Sequence, residues 1–438
     1  MSQSYPASPS IGLAPASTSS NALYNKIAWR IIPLLCICYI AAYLDRINIG
    51  FAKLQMQSDL GFSETVYGLG AGLFFISYII FEVPSNLILQ RMGAKLWIAR
   101  IMITWGIISA CMMFVTTPTQ FYVLRFLLGM AEAGFYPGVM LYLTLWFPSF
   151  RRGKIMALFL LALPLSNIIG APLSGWIMTA FDGAREIAGW QWMFLLEGIP
   201  SVLLGIVILF MLPNGVNDAK WLSNSEKQEL LKTLEDDKSA QAHSSVREAF
   251  LSAKVWLLGV VDIFLMMAVY GLSFWLPTII RESGVSSTAH VGLLTGLASL
   301  LAVAALILNG MSSDKHRERR WHIALPAFIA GASIWISTFF SLDPVFTVIL
   351  FSIANMGLMA TFPVFWCVPG TFLTGRAAAA GLALIASVAN FGGIGATYMM
   401  GVLRDMTQSA EIGLIIFAVC LFIAGSLVLL LPKHVVNR

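Results

Sequence analysis

The stretch Gly310-Met-Ser-Ser-Asp314-Lys315-His-Arg317-Glu-Arg319-Arg-Trp321 is a short basic segment between two long apolar runs. An earlier stretch, Asn86-Leu-Ile-Leu-Gln90-Arg91-Met-Gly93-Ala-Lys95-Leu-Trp97, matches it in register and also follows the second apolar run of its own half of the chain. Matching loops at corresponding positions indicate two repeated halves. Such repeats are typical of membrane transporters that hold their substrate between the halves, near the middle of the bilayer.

The composition of the chain excludes a soluble globular protein. Of the 438 residues, 58% are hydrophobic and 11% are charged, and the mean hydropathy is +0.80. Such values indicate an integral membrane protein. The net charge of +5 gives no reason to expect nucleic acid as a partner. The five cysteines lie inside apolar runs without metal-ligand spacing or a disulfide pattern, so we expect small buried side chains and no metal site.

Apolar runs long enough to cross about 30 Å of hydrocarbon recur along the whole chain. The predicted spans are residues 27–51, 65–89, 96–117, 120–146, 154–180, 191–212, 255–280, 289–311, 321–342, 345–368, 373–401 and 411–431. The predicted fold is therefore an all-α membrane protein with twelve transmembrane helices in two pseudo-symmetric six-helix halves, which cover residues 23–212 and 255–432.

The polar segments outside these halves are a linker and two tails. Residues 213–254 form the linker, in which the capping-box pattern Ser223-Asn-Ser-Glu226 begins a short amphipathic helix. Residues 1–22 are rich in Ser, Ala and Pro and are predicted to be a disordered tail, and residues 433–438 form a second tail. Because Lys26 and Arg30 open a run of full spanning length, we expect a retained helix rather than a signal peptide.

The distribution of positive charge predicts the orientation of the chain in the membrane. One alternating set of loops and termini holds 21 of the 27 Lys and Arg residues, the other set holds 4, and Arg46 and Arg125 lie inside spans. Cytoplasmic loops carry the excess of Lys and Arg in membrane proteins. Both termini and the linker are therefore predicted to be cytoplasmic.

The first span contains an acid and a base side by side, in the stretch Tyr43-Leu-Asp45-Arg46-Ile-Asn48. A charged side chain at the centre of a bilayer costs about 2.5–3.5 kcal/mol on insertion scales, so such residues are rare, paired and functional by default. The fourth span supplies Arg125 and Glu132, which are seven residues apart and share one helix face. We expect Asp45 to pair with Arg125 at comparable depth, and Arg46 to reach Glu132.

The chemistry of these four residues suggests coupled binding of protons and an anion. Two arginines and two carboxylates are nearly neutral together, which makes their burial tolerable. If Asp45 and Glu132 bind protons, Arg46 and Arg125 lose their partners and become a positive hydrogen-bonding site for carboxylate. Proton binding and anion binding then favour each other, which is the basis of symport. The alternative is that the two ion pairs only hold the first and fourth helices together.

Several motifs resemble those of a known transporter family. Residues 310–319 match the loop pattern Gly-x-x-x-Asp-Lys/Arg-x-x-x-Arg/Lys of the major facilitator superfamily, while residues 86–95 depart from it at Asn86 and Gln90. Four other stretches are similar to the anion:cation symporter family, in the branch of bacterial tartrate, hydroxyphenylacetate, phthalate and sugar-acid permeases. They are Tyr-Leu-Asp-Arg-Ile-Asn-Ile-Gly-Phe-Ala (43–52), Phe-Glu-Val-Pro-Ser-Asn (81–86), Arg-Phe-Leu-Leu-Gly-Met-Ala-Glu-Ala-Gly-Phe-Tyr-Pro-Gly (125–138) and Tyr-Gly-Leu-Ser-Phe-Trp-Leu-Pro (270–277).

This resemblance implies the major facilitator fold and proton-driven uptake of a small organic anion across the bacterial inner membrane, without any cofactor. It also implies that the two matching loops act in gating, through Arg91, Gly93, Lys95, Gly310, Asp314, Lys315 and Arg319. Tyr78 and Asn390 match positions where sugar-acid permeases of the family contact substrate. The alternative for both is a polar group in midspan that is satisfied within the protein.

Three aromatic residues, Tyr270, Trp275 and Trp366, are candidates for a wall around the substrate, with ordinary packing as the alternative for each. Leu163 and Pro164 stand where some sugar-acid permeases have a glutamine that faces hydroxyl groups, which favours a less hydroxylated substrate. The expected substrate is a small organic anion such as an aromatic, dicarboxylic or hydroxy acid.

Two other function classes compete with symport. A proton-coupled efflux antiporter of the same fold differs in the direction in which substrate moves. A membrane enzyme or sensor is disfavoured, because the spans contain no nucleophile–base set, metal cluster or nucleotide-binding loop. We therefore predict a monomeric transporter, whose partners are the anion, protons and the lipid bilayer. Glu197 in the sixth span is expected to make structural hydrogen bonds, and Asp262 in the seventh has no assigned role.

Overall fold

A computed structural model of the chain describes residues 18–240, 246–339, 343–373 and 375–437. These residues are helical almost throughout, as the long apolar runs predict. The helices are α1 (Thr18–Leu60), α2 (Glu64–Met92), α3 (Ala94–Cys111), α4 (Pro118–Glu132), α5 (Phe135–Thr144), α6 (Ser149–Leu160), α7 (Ala162–Ala180), α8 (Gly189–Met211), α9 (Asn224–Ala240), α10 (Val246–Leu251), α11 (Ala253–Glu282), α12 (Thr288–His316), α13 (Arg320–Ser337), α14 (Pro344–Phe365), α15 (Gly375–Thr407), α16 (Glu411–Leu429) and α17 (Lys433–Val436).

Within the described ranges, 11 helical segments are long and apolar enough to cross a membrane. They correspond to every predicted span except the ninth. The ninth, predicted at residues 321–342, is α13, a helix of 18 residues whose first turn is less apolar because it contains Arg320 and His322. Residues 340–342 of that prediction lie outside the described ranges. The predicted all-α membrane fold of two halves is confirmed.

The fourth and fifth predicted spans are each divided into two helices. The fourth breaks between α4 and α5 at Gly134, whose φ of +89° lies in the left-handed region that favours glycine. A side chain at this position would also collide with α2, because Ser85 Oγ lies 2.3 Å from where a Cβ atom would stand. Glu132 is the last residue of α4. The break therefore lies beside the predicted charge cluster, as in transporters whose discontinuous helices form the binding site.

The two matching loops are held in the same way in both halves. In the first, the backbone N–H of Lys95 donates to Asn214 Oδ1 at 3.2 Å. In the second, the backbone N–H of Arg319 donates to Asn437 Oδ1 at 2.9 Å. Lys95 and Arg319 occupy the same place in the repeat, and each asparagine follows the last span of its half. The internal repeat is thus present in the hydrogen bonds as well as in the sequence.

The other residues of these loops occupy varied positions. Gly93, with a φ of +89°, connects α2 directly to α3. Asp314 Oδ1 lies 3.8 Å from Arg319 Nη2. Arg91 and Lys315 are exposed, and Gly310 lies within α12. Their part in gating stays a prediction.

The two halves pack mainly through α1 with α11, α2 with α15, and α7 with α12. Glycines allow close approach of α2 to α15 and of α7 to α12. A Cβ atom at Gly68 would lie 2.4 Å from the carbonyl oxygen of Thr397, and one at Gly175 would lie 2.7 Å from that of Thr288. Small residues permit such contacts between membrane helices. Gly68 lies near the start of α2, and Thr288 is the first residue of α12. Both contacts are therefore on the side of the membrane where α2 and α12 begin, and the halves are tightly packed on that side.

In the linker, α9 is attached to the N-terminal half. Lys26 Nζ lies 2.9 Å from Glu226 Oε1, and Arg152 Nη2 lies 3.3 Å from Asp237 Oδ2. The predicted capping box is formed, because the Glu226 N–H donates to Ser223 Oγ at 3.2 Å and the Ser223 N–H donates to Glu226 Oε2 at 2.7 Å. Two ion pairs therefore anchor α9 to the N-terminal half.

Both predicted tails are partly helical. Residues 1–17 of the predicted tail at residues 1–22 lie outside the described ranges, and residues 18–22 belong to α1. The predicted tail at residues 433–438 contains α17, and residue 438 lies outside the described ranges. Helices extend beyond the apolar runs here because their backbone hydrogen bonds do not depend on the bilayer.

Candidate functional site

A cluster of charged and aromatic side chains lies where α1, α2, α4 and α11 meet. Arg46 on α1 forms an ion pair with Glu132 on α4, through Nη2 and Oε1. Both side chains are buried, with Arg46 8% and Glu132 2% exposed. The predicted contact between these two residues is therefore confirmed. Their roles in transport stay predictions.

The guanidinium of Arg46 also contacts the C-terminal half. Arg46 Nη1 donates a hydrogen bond of 3.3 Å to the hydroxyl of Tyr270 on α11. The ring centroids of Tyr43, Phe74 and Tyr78 lie 5.8, 5.2 and 5.3 Å from Arg46 Cζ. Cation–π contacts at these distances stabilise a guanidinium that has lost its water. The structure thus brings the predicted Tyr78 and Tyr270 to Arg46, at the boundary between the halves.

One aromatic ring contacts both arginines of the cluster. Arg125 Cζ lies 5.2 Å from the centroid of Phe74, the same distance as Arg46 Cζ. The sequence alone does not distinguish Phe74, because phenylalanine in a membrane span usually serves for packing. The available signal was its spacing, since Phe74 precedes Tyr78 by four residues and so lies one turn away on the same face of α2.

Arg125 is the least satisfied side chain of the cluster. It is fully buried, at 0% exposed, and its Nε, Nη1 and Nη2 atoms have no hydrogen-bond partner among the described residues. Buried polar groups in native proteins are almost always hydrogen-bonded, and an unpaired buried charge is strongly destabilising. Carboxylate suits a guanidinium because it accepts two parallel hydrogen bonds. The unpartnered guanidinium of Arg125, beside the ion pair of Arg46 and Glu132, is chemically suited to an anion, and its role in binding substrate stays a prediction.

The predicted pair of Asp45 and Arg125 is wrong. Asp45 is 1% exposed and accepts hydrogen bonds from Ser109 Oγ at 2.6 Å, Ser201 Oγ at 2.7 Å and Trp105 Nε1 at 3.0 Å. These three donors lie on α3 and α8. Adjacent residues of a helix point about 100° apart, since a turn takes 3.6 residues. Arg46, the next residue of α1, points toward Glu132 on α4, so Asp45 points toward α3 and α8 instead. A depth comparable to that of Arg125 therefore does not bring the two side chains together.

Two other predicted residues make contacts typical of packing. Asn390 Nδ2 donates to the carbonyl oxygen of Ala386 in the preceding turn of α15, at 3.3 Å. Trp366 follows the last residue of α14 and packs edge-on against Phe365, with ring centroids 5.5 Å apart. The contacts described for Asn390 and Trp366 do not include either arginine of the cluster. These contacts agree with the packing alternatives, and the predicted substrate contacts stay predictions.

A second charged cluster joins the two halves closer to one membrane surface. Lys53 Nζ on α1 lies 2.7 Å from Glu64 Oε2 at the start of α2. Arg404 Nε on α15 lies 3.4 Å from Glu64 Oε1, and Arg404 Nη1 donates to Glu282 Oε2 at the end of α11, at 3.1 Å. Glu64 therefore binds one cation from each half. We call Lys53, Glu64, Glu282 and Arg404 the inter-half charge cluster.

Trp275 belongs to this second cluster rather than to the surroundings of Arg46. Its ring centroid lies 4.1 Å from Lys53 Nζ and 5.5 Å from Arg404 Cζ. The cluster was not predicted from the sequence, because Lys53 and Arg404 lie near the ends of spans, where hydropathy does not separate loop from membrane. One indication was present in the sequence: Lys53 and Arg404 are two of the four Lys and Arg residues in the loops predicted to be periplasmic.

Comparisons with known proteins agree with this architecture. The family model described as "Major Facilitator Superfamily" matches residues 35–397. A protein of Pseudomonas putida named "Putative metabolite transport protein NicT" is 56% identical, over 96% of this chain and 96% of its own length. A protein of Agrobacterium vitis named "Putative tartrate transporter" is 45% identical, over 93% of this chain and 94% of its own length. The crystal structure of a bacterial homologue of the human lysosomal transporter Spinster has a similar fold, with a TM-score of 0.76 at 15% identity over 93% of this chain and 96% of that chain.

Proposed function

The chain belongs to the major facilitator superfamily and is a membrane transporter rather than an enzyme, and from this premise we propose that it takes up a small organic anion together with protons. One observation carries the proposal. The guanidinium of Arg125 is buried without a hydrogen-bond partner among the described residues, next to the ion pair of Arg46 and Glu132. An anion with a carboxylate group supplies the missing partner.

The charge of the cluster favours an anion even before protons bind. Because Asp45 faces other helices, the cluster consists of Arg46, Arg125 and Glu132. With Glu132 ionised, its net charge is positive, and a single substrate carboxylate neutralises it. Neutralisation of charge is what makes burial of such groups tolerable.

Proton binding to Glu132 strengthens the site further. A protonated Glu132 no longer pairs with Arg46, so both guanidiniums become available to substrate oxygens. Anion binding in turn makes the protonated state of Glu132 more favourable, because a negative charge close to the carboxyl group disfavours its ionisation. This mutual preference couples the proton to the anion by linkage. Glu132 is therefore the proton site that acts directly on the anion.

The surroundings of the cluster favour a carboxylic acid with hydroxyl or aromatic groups. The ring of Tyr78 and the hydroxyl of Tyr270 lie at Arg46, and the ring of Phe75 lies 4.5 Å from that of Tyr270. A relative at 45% identity is named for tartrate, a dicarboxylic hydroxy acid. The proposed substrate is an aromatic, dicarboxylic or hydroxy acid. Protons and this anion are the proposed partners, and no cofactor is needed.

Alternating access requires that one side of the site open while the other is closed. The inter-half charge cluster and the close glycine contacts hold the halves together on the side where α2 and α12 begin. The excess of Lys and Arg assigns both termini to the cytoplasm, so we propose that the closed side is the periplasmic side of a bacterial inner membrane. The anion site is formed by one chain, so the proposed working unit is a monomer.

Uptake by proteoliposomes tests this function. The purified protein is reconstituted, and uptake of radiolabelled tartrate or 4-hydroxyphenylacetate is measured with and without an inward proton gradient. We expect gradient-driven accumulation, its loss in Arg125→Gln, and its retention in Arg185→Gln, which changes an exposed arginine. Expulsion of substrate under the same gradient would instead support the efflux antiporter. Equal uptake with and without the gradient would refute proton coupling.

A further inference from the structure

A second buried acid, Glu197 on α8, lies close to Asp45. Glu197 is 4% exposed and accepts a hydrogen bond from Ser174 Oγ on α7, at 2.6 Å, through Oε1. Its Oε2 atom has no hydrogen-bond partner among the described residues. The amide of Asn48 is fully buried and lies within hydrogen-bonding range of Glu197, and it has no other partner among the described residues. A protonated carboxyl can donate from Oε2 to Asn48 Oδ1, and an ionised one can accept from Asn48 Nδ2 but carries a buried charge that needs a balancing cation.

Asp45 and Glu197 have no cation to balance them. Neither acid takes part in an ion pair among the described residues. Of the helices packed against α8, which are α1, α3 and α7, the charged group that faces Glu197 is Asp45 itself. Two neighbouring carboxylates in a low-dielectric interior do not both ionise. Asp45 accepts three hydrogen bonds that stabilise its ionised form, so the proton belongs to Glu197.

The two acids lie at different depths along the same pair of helices. Ser201, which donates to Asp45, follows Glu197 by four residues on the same face of α8. Asn48 follows Asp45 by three residues on α1. Glu197 itself is eight residues from the start of α8, or about 12 Å. It therefore lies between Asp45 and the membrane surface where α8 begins, which the charge distribution assigns to the periplasm.

We propose that Glu197 is a proton relay that supplies Asp45 from the periplasmic side, separate from the anion site at Arg46 and Arg125. This inference rests on the proposed proton-coupled function. For the transfer, the Glu197 side chain turns from Asn48 toward Ser201, which lies one helical turn away; the O–H bond of its carboxyl breaks and the proton passes to the Ser201 hydroxyl, whose own proton passes to Asp45 Oδ2. Glu197 is left ionised, and a proton from the periplasm restores it. Asp45 thereby receives a proton without contact with either arginine.

Infrared spectroscopy of the purified protein tests the proton on Glu197 without any substrate. The C=O stretch of a protonated carboxyl group is separate from the bands of carboxylate. We expect the difference spectrum between the unmodified protein and Glu197→Gln, at neutral pH, to show loss of a protonated carboxyl band. Glu186→Gln, which changes an exposed acid of the loop before α8, should lose carboxylate bands instead. Loss of carboxylate bands in Glu197→Gln would show that Glu197 is ionised and would overturn the relay.

Transport assays test whether this proton is used. Counterflow exchanges labelled tartrate for unlabelled tartrate and needs no net movement of protons, whereas accumulation under a proton gradient does. For Glu197→Gln we expect counterflow within about twofold of the unmodified protein and accumulation reduced by about tenfold or more, as for loss of a proton-transfer group. Ser174→Ala, which keeps the acid but removes its hydrogen-bond donor, should retain accumulation.

The outcomes separate the relay from the proposed function. Normal accumulation in Glu197→Gln would overturn the relay and leave proton-coupled uptake intact. Loss of counterflow and accumulation together would show that Glu197 only supports the fold, and would also overturn the relay. If the unmodified protein exchanges tartrate but does not accumulate it under a proton gradient, proton-coupled uptake itself fails, whatever the infrared result for Glu197.

Discussion

Arg46 on α1 donates a hydrogen bond of 3.3 Å to the hydroxyl of Tyr270 on α11, and so connects the two halves of the chain at the middle of the candidate site. The same guanidinium is ion-paired with Glu132. One side chain therefore contacts the proposed proton site and the opposite half. Protonation of Glu132 would remove its ion pair with Arg46. Because Arg46 also binds Tyr270, this change would affect the contact between the two halves.

Tyr270→Phe removes the hydroxyl and keeps the ring. We expect weaker anion binding, because Arg46 loses the hydrogen bond that positions it; a hydrogen bond to a charged group contributes about 1.5 kcal/mol, or roughly tenfold in affinity. The measurement is the concentration dependence of tartrate uptake. Tyr398→Phe on α15, where the ring is 44% exposed, is the control and should leave the affinity unchanged. An unaltered affinity in Tyr270→Phe would show that this hydroxyl does not support the site.

Arg125→Met should stabilise the protein while it abolishes transport. The buried guanidinium has no partner among the described residues, so an apolar side chain of similar length removes an uncompensated charge. We expect a higher midpoint of thermal unfolding without substrate, and no further rise on addition of tartrate. The unmodified protein, in contrast, should gain stability from tartrate by mass action. A lower midpoint in Arg125→Met would show that Arg125 has a structural partner.

Glu64→Gln should loosen the contact between the halves on the proposed periplasmic side. Glu64 binds Lys53 and Arg404, so its neutralisation leaves cations from both halves close together without a shared anion. In a background without the native cysteines, we introduce Thr278→Cys beside Lys53. A membrane-impermeant maleimide added from outside should label this cysteine faster in Glu64→Gln.

The control for this labelling is Glu411→Gln, which changes an exposed acid at the start of α16. It should leave the labelling rate of Thr278→Cys unchanged. Equal labelling in Glu64→Gln and the control would show that the inter-half charge cluster does not hold the halves together.

The contact of α9 with the N-terminal half should weaken in acid. A hydrogen bond from Lys26 lowers the pKa of Glu226 below its ordinary value of 4.5. The stabilisation is therefore complete above pH 4.5 and is lost as the pH falls through the lowered pKa of the folded state. The protection of α9 amides from hydrogen exchange, relative to their intrinsic exchange rate at each pH, should fall in acid in the unmodified protein and in Glu248→Gln, but much less in Glu226→Gln. The same acid response in Glu226→Gln would assign it to another group.

The repeat, the spans and one ion pair could be predicted because their causes are local. Apolar length determines which segments cross the bilayer, and the seven-residue spacing of Arg125 and Glu132 places both on one face of α4. Arg46 has a long, flexible side chain, so its contact with Glu132 tolerates errors in the orientation of α1. The capping box at Ser223 likewise depends on four consecutive residues.

The rest depended on how helices turn toward one another. The side of α1 that carries Asp45 could be assigned only once α3 and α8 were placed beside it, so the pairing with Arg125 was predicted wrongly. The break at Gly134 follows from its φ and from the approach of α2, which hydropathy does not report. The contact of Phe74 with both arginines depends on the packing of α1 and α4 against α2, which brings Arg46 and Arg125 to the same ring.

The central claim is that the anion and a proton on Glu132 bind together. The most direct measurement is the uptake of protons from a weakly buffered solution with a pH indicator, when tartrate or 4-hydroxyphenylacetate is added to the purified protein at neutral pH. The account predicts that protons are taken up as the anion binds, and that Glu132→Gln binds the anion with less proton uptake. Anion binding without proton uptake, or with the same uptake in Glu132→Gln, would contradict it.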